Sequence, residues 1–106
     1  MKILFDQNTP VPIRDYLTGH IVRTASEQGW STLLNGDLLR VAEEAGFELL
    51  ITADKNIAYQ QSFRERKIAL LVLGSGQWPA IRNCLEKIAA AIQACRPGTV
   101  TFLEIP

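Results

Sequence analysis

This 106-residue chain contains a single histidine, His20, and only two cysteines, Cys84 and Cys95. One imidazole, at the start of a strand candidate, leaves no histidine set for zinc, so His20 is read as structural. The cysteines share one helical segment, where a rise of about 1.5 Å per residue sets them roughly 16 Å apart, beyond disulfide reach. They are expected to be buried, inert thiols. No apolar run approaches the roughly 20 residues that span a bilayer. The start, MKILFDQN, reaches Asp within six residues and has no signal-peptide core. The expectation is a cytoplasmic protein with no membrane partner. Eleven basic residues balance eleven acidic ones. Zero net charge argues against a charge-driven coat on nucleic acid, though not against a local basic patch.

Nucleotide-binding glycine loops are also missing: neither Gly-x-x-x-x-Gly-Lys nor Gly-x-Gly-x-x-Gly follows the first strand candidate. Gly74-Ser75-Gly76 could approach a phosphate through its backbone N–H groups, but reads better as a turn. Without repeats, low-complexity tracts or a linker, residues 1–106 form one domain. At this length folding buries roughly two-thirds of the surface, enough for a core without metal or disulfide staples.

What the chain does have is alternation. Short apolar runs at 2–6, 20–25, 47–52, 68–74 and 99–105 read as strands. Between them lie helical patterns: one begun by Thr9-Pro10, one over 37–45 stopped by Gly46, a weaker one in NIAYQQSFRERK, and a long one from Pro79 to Cys95. Such a chain predicts a three-layer α/β/α sandwich around a mostly parallel five-stranded sheet. Right-handed crossovers and the common doubly wound order give 2-1-3-4-5.

Strands one and three end alike, as ILFDQN and LLITADKN. Each apolar run breaks into Asp-x-Asn: Asp6-Gln7-Asn8 and Asp54-Lys55-Asn56. In the order 2-1-3-4-5 these strands are neighbours about 4.8 Å apart, and the crevice beyond their carboxyl ends is where ligands bind in such sheets. Asp37, opening the helix before strand three, would close that crevice. Three carboxylates so close would take up protons unless a cation joined them. Oxygen-only ligation, with Asn8 or Asn56 in support, suits Mg²⁺ or Mn²⁺. Such a cage fits metal-assisted phosphodiester hydrolysis. Lys55 could hold a substrate phosphate, Glu44 could add a fourth ligand, and Arg64, Arg66 and Lys67 form the densest basic cluster. Each has a plainer reading: a helix cap for Asp37 or Asp54, and a solvated face for Glu43, Glu44, Lys55 and the basic cluster.

On these residues the sequence resembles the PIN-like superfamily of small metal-dependent nucleases, and within it a compact bacterial family predicted to belong to toxin–antitoxin systems. The residues that carry the likeness are ILFDQN with its Pro-containing helix, His20-Ile21-Val22, Asn35-Gly36-Asp37 with Ala42, and LLITADKN. The resemblance implies Asp6, Asp37 and Asp54 as catalytic metal ligands, with Asn8 beside them. It further implies endonucleolytic cleavage of RNA with Mg²⁺ or Mn²⁺, and an antitoxin protein as partner. The larger toxin nucleases carry four acids where this chain offers three.

Two readings compete with an active ribonuclease. One is a catalytically silent PIN-like module that binds RNA or a partner protein through the same crevice. The other is a phosphoacceptor domain resembling response-regulator receivers; these carry an acidic pair after strand one, where this chain has Asp6-Gln7. The oligomeric state is left open, a homodimer included.

Overall fold

The computed structural model describes residues 1–106. The five apolar runs form strands β1 (Lys2–Phe5), β2 (Ile21–Thr24), β3 (Leu49–Thr52), β4 (Ala69–Leu73) and β5 (Val100–Leu103). They make one parallel sheet in the order β2-β1-β3-β4-β5. Every side chain of β3 and β4 is buried, as a sheet covered on both faces requires. Full burial of a Leu or Ile stabilises by about 1.5–3 kcal/mol, so these central strands anchor the domain.

The pleat divides each strand between two cores. Ile3, Phe5, Leu49, Ile51, Leu71 and Leu73 point to one side. Leu4, Leu50, Leu70 and Val72 point to the other. The first face is covered by a 3-10 helix (Val11–Tyr16) and by helices α3 (Trp78–Ile81) and α4 (Leu85–Ala94). The second is covered by α1 (Asn35–Glu44) and α2 (Asn56–Gln60). No helix is long and apolar enough to cross a membrane.

This arrangement departs from a uniformly right-handed winding. The steps β3 to β4 and β4 to β5 move the same way across the sheet, yet α2 lies on one face and α3–α4 on the other. The last crossover therefore has the opposite hand to the three before it, against a strong general preference.

Three helices differ from expectation. Pro10 and Pro12 lack N–H donors, and the segment they open, Val11–Tyr16, is a 3-10 helix rather than an α-helix. It has no side-chain cap, because the buried Thr9 hydroxyl turns instead to Ile51 O at 2.6 Å. The helix in NIAYQQSFRERK stops at Gln60; Gln61 is extended, and Phe63 is buried in the second core. The long helix from Pro79 is broken before Leu85. There the Asn83 side-chain amide donates to Pro79 O at 3.3 Å, competing for the carbonyl four residues back, and the Cys84 N–H bonds Ile81 O in a tighter turn. Cys84 and Cys95 are buried and unbridged, and burial pushes the Cys95 thiol's pKa up.

Candidate functional site

Parallel register pairs Phe5 of β1 with Ile51 of β3. The next residues, Asp6 and Thr52, therefore leave the sheet side by side at its carboxyl edge. The Thr52 hydroxyl, fully buried, donates to Asp6 Oδ2. The same hydroxyl accepts the Asp54 N–H at 2.9 Å. A single threonine oxygen thus ties the two acidic corners together.

The repeated Asp-x-Asn is the same turn made twice. Asp6 Oδ1 accepts the Asn8 N–H at 3.0 Å, and Asp54 Oδ1 accepts the Asn56 N–H at 2.9 Å. These are Asx turns, in which a carboxylate takes a backbone N–H two residues on and redirects the chain. At Asp54 the turn leads directly into α2, whose N-cap position is Lys55, without a side-chain cap bond from that residue. Asn8 and Asn56 are both exposed, and each enters its turn through the backbone.

Asp6 has a further partner. The Thr9 hydroxyl lies 2.8 Å from Asp6 Oδ1 as well as against Ile51 O. One hydroxyl proton faces two acceptors there, so it can serve only one of them unless the carboxyl itself carries a proton. Burial pushes the Asp6 pKa above the usual carboxylate value, while hydrogen bonds from Thr52, Thr9 and Asn8 oppose that shift. No basic side chain helps: the ion pairs of the protein are Arg14–Glu27, Arg40 with Asp37 and Glu44, and Arg66–Glu43. Asp6 is a half-buried acid without a countercharge.

Asp37 is placed differently. It is exposed in the first turn of α1, 3.7 Å from Arg40, and lines a cleft of about 510 Å³ with Asn35, Gly36, Gln60 and Gln61. Asp6 lines two other hollows, one of about 140 Å³ and one of about 420 Å³. Leu33 and Asn35 border both the smaller hollow and the Asp37 cleft, so those two adjoin without merging. No group of three or more His, Cys, Asp and Glu side chains is gathered closely enough to hold a metal ion. The expected three-acid cage is thus an Asp6–Asp54 corner with Asp37 flanking it.

Other expected contributors stand elsewhere. Glu44 ends α1, which leads to the amino ends of the strands, and it pairs with Arg40 at 3.3 Å. It is no fourth ligand for the crevice, because the helix axis sets it about 10 Å from Asp37. Arg66 is bound to Glu43 at 2.9 Å, and the Lys67 N–H donates to the same carboxylate. Those two residues therefore face the wrong end of the sheet for a phosphate at the crevice. His20 precedes β2 at that same opposite end, its Nδ1 buried without a partner. Lys55 is exposed beside Asp54, on a cleft it shares with Tyr59 and Phe102.

Gly74-Ser75-Gly76 is a turn with a packing constraint. A Cβ on Gly76 would sit 3.1 Å from Asn8 O and 3.3 Å from the Ala53 side chain, so this loop closes directly over the two corners. Thr9 and Thr52 are the site residues that sequence reasoning missed. The available signal is a threonine ending an otherwise apolar strand, LLIT, two residues before an acid. No family model matches the chain, nor does any curated protein or solved structure.

Proposed function

We propose that the protein is a Mg²⁺- or Mn²⁺-dependent endoribonuclease of the PIN-like type, acting at the corner formed by Asp6 and Asp54. The observation that carries this reading is Asp6: a half-buried carboxylate, raised in pKa by burial, with no cationic side chain in reach, where strand order reverses. The donor set fits a hard divalent ion. Asp6 accepts hydrogen bonds on both oxygens, which leaves about one acceptor position of its four, and Asp54 Oδ2 accepts none. Magnesium is commonly held by one or two carboxylates plus substrate phosphate and water, so two acids suffice. A bound ion would lower the pKa of an attacking water and offset charge on the leaving oxygen.

The protein's own groups divide the remaining work. Thr52 and the Asn8 N–H fix the Asp6 carboxylate in one orientation, and the α2 turn fixes Asp54. Asp37 borders the adjoining cleft, where it orients substrate or water, and Lys55 attracts the phosphate chain. The PIN-like resemblance extends the proposal to a toxin held in check by an antitoxin protein. The test is cleavage of a single-stranded RNA panel with Mn²⁺ by the parent and by Asp6→Asn. Activity present in the parent and lost in the variant supports the enzyme; equal cleavage by both points to a contaminant.

One observation favours a second reading, a catalytically silent module. Three hydrogen bonds already occupy most acceptor positions of Asp6, and Asp37 stands apart beside Arg40. RNA binding without cleavage under every metal tried would select it.

A further inference from the structure

A second feature shares the carboxyl edge of the sheet with Asp54 and has no part in the acidic corner. Tyr59 of α2 and Phe102 of β5 stack in the open, ring centroids 6.2 Å apart and planes at 27°. Tyr59 is 75% and Phe102 53% exposed. Two large rings kept in water mark a contact surface more often than a core. They wall a cleft of about 350 Å³ whose other lining includes Lys55, Val72, Gly74 and Glu104. Lys55 is outside every ion pair of the protein and follows Asp54 in sequence, so the cleft begins one residue from the acidic corner.

We infer that this cleft receives an unpaired base of the RNA substrate, stacked on the Tyr59–Phe102 pair, with the neighbouring phosphate at Lys55. Aromatic faces beside a cation are how single-stranded nucleic acid is held with little regard to sequence. Glu104, also in the lining, repels a phosphate and so favours the Lys55 side for the backbone. It also offers an acceptor to the exocyclic amine of a base such as adenine. The surface would thus hold the nucleotide that lies beyond the scissile bond. This inference rests on the nuclease reading for its substrate, but it concerns binding alone.

The experiment measures fluorescence anisotropy of a 5′-labelled octamer of riboadenosine, and of the same octamer lacking its bases, with EDTA present so that no cleavage intervenes. Tyr59→Leu, which keeps bulk but removes the ring, is expected to bind the octamer about tenfold more weakly than the parent. Tyr59→Phe is expected to bind as the parent does, and Phe102→Leu to repeat the loss. Parent and Tyr59→Leu should bind the baseless octamer equally weakly. Thermal midpoints confirm that the variants are folded. Equal affinity of the parent for both octamers, or of Tyr59→Leu and parent for the first, would overturn the inference. So would a dimer that depends on Tyr59 and binds no RNA, since a second copy would then be the occupant. Cleavage with Mn²⁺ separates the two readings. Asp6-dependent cleavage with Tyr59-independent binding leaves the nuclease and removes the stacking site. Tyr59-dependent binding without cleavage does the reverse.

Discussion

The two Asp-x-Asn corners share a turn and differ in everything around it. Asp54 accepts one backbone N–H, opens a helix and has a free carboxylate oxygen. Asp6 accepts from a backbone N–H and from the Thr52 hydroxyl, lies against that of Thr9, and is pushed up in pKa by burial. Identical tripeptides therefore encode the same local bend, but the strands that precede them decide the electrostatics. β1 delivers its acid into the packed interior next to Thr52, whereas β3 runs two residues further before its acid appears. Asp54 sits at the entry to a helix, whereas Asp6 is half-buried without a countercharge, and it is Asp6 that the proposed chemistry rests on.

The sharpest way to break this comparison is to neutralise each corner separately. Asp6→Asn is expected to lower Mn²⁺-dependent RNA cleavage by on the order of a thousandfold, as loss of a metal ligand and its charge implies. Asp54→Asn should do nearly as much if the corners act as a pair. Asp37→Asn, one cavity away, should cost about tenfold, the scale of an outer-shell contact. Equal losses at all three would restore the three-acid cage that the structure does not assemble.

Stability sharpens the comparison next. Thr52→Val keeps the shape but removes the hydroxyl that serves both corners, leaving one acceptor and one N–H without a partner. Urea unfolding should show a loss of about 2–4 kcal/mol. A change near zero would mean that water replaces the hydroxyl and that the corners are not coupled.

The acidity of Asp6 gives a sign that differs from the common case. Its folded pKa is raised, so the native state holds the proton more tightly than the unfolded chain does. Stability from this group is present at low pH and is lost as pH rises from the unfolded value through the folded one. Asp6→Asn should therefore melt higher than the parent at pH 7 without metal, with the gap closing in acid. Since a ligand must shed its proton, Mn²⁺ should bind the parent more tightly as pH rises over the same window. A parent that melts above Asp6→Asn at pH 7 would contradict the buried, unpaired acid. The smallest effect belongs to Glu44→Gln, an exposed helix pair with Arg40, expected to shift stability by less than about 0.5 kcal/mol and cleavage not at all.

Much of this architecture was legible before any coordinates. Short apolar runs such as LLIT and ALLVL read as strands buried on both faces, and their alternation with helices points to a parallel sheet. The strand order followed, and with it the placing of Asp6 and Asp54 after neighbouring strands at one edge of the sheet. The stripe from Ile81 to Cys95 was legible as buried, but not the break within it, because Asn83 acts through a side-chain bond that periodicity does not register. Nor did the stripe say which face it would cover, so the reversed last crossover was invisible. Thr9 reads as a helix cap and Thr52 as a strand end; the bonds from Thr9 to Ile51 O and from Thr52 to Asp6 cross between β1 and β3, where sequence spacing has nothing to say.

The central claim is that the Asp6 and Asp54 carboxylates jointly hold a divalent ion. Titrating Mn²⁺ into the parent and into Asp54→Asn by isothermal calorimetry tests it most directly. The account predicts a saturable heat in the parent that disappears in the variant. The same heat in both proteins, or none in either, would contradict it.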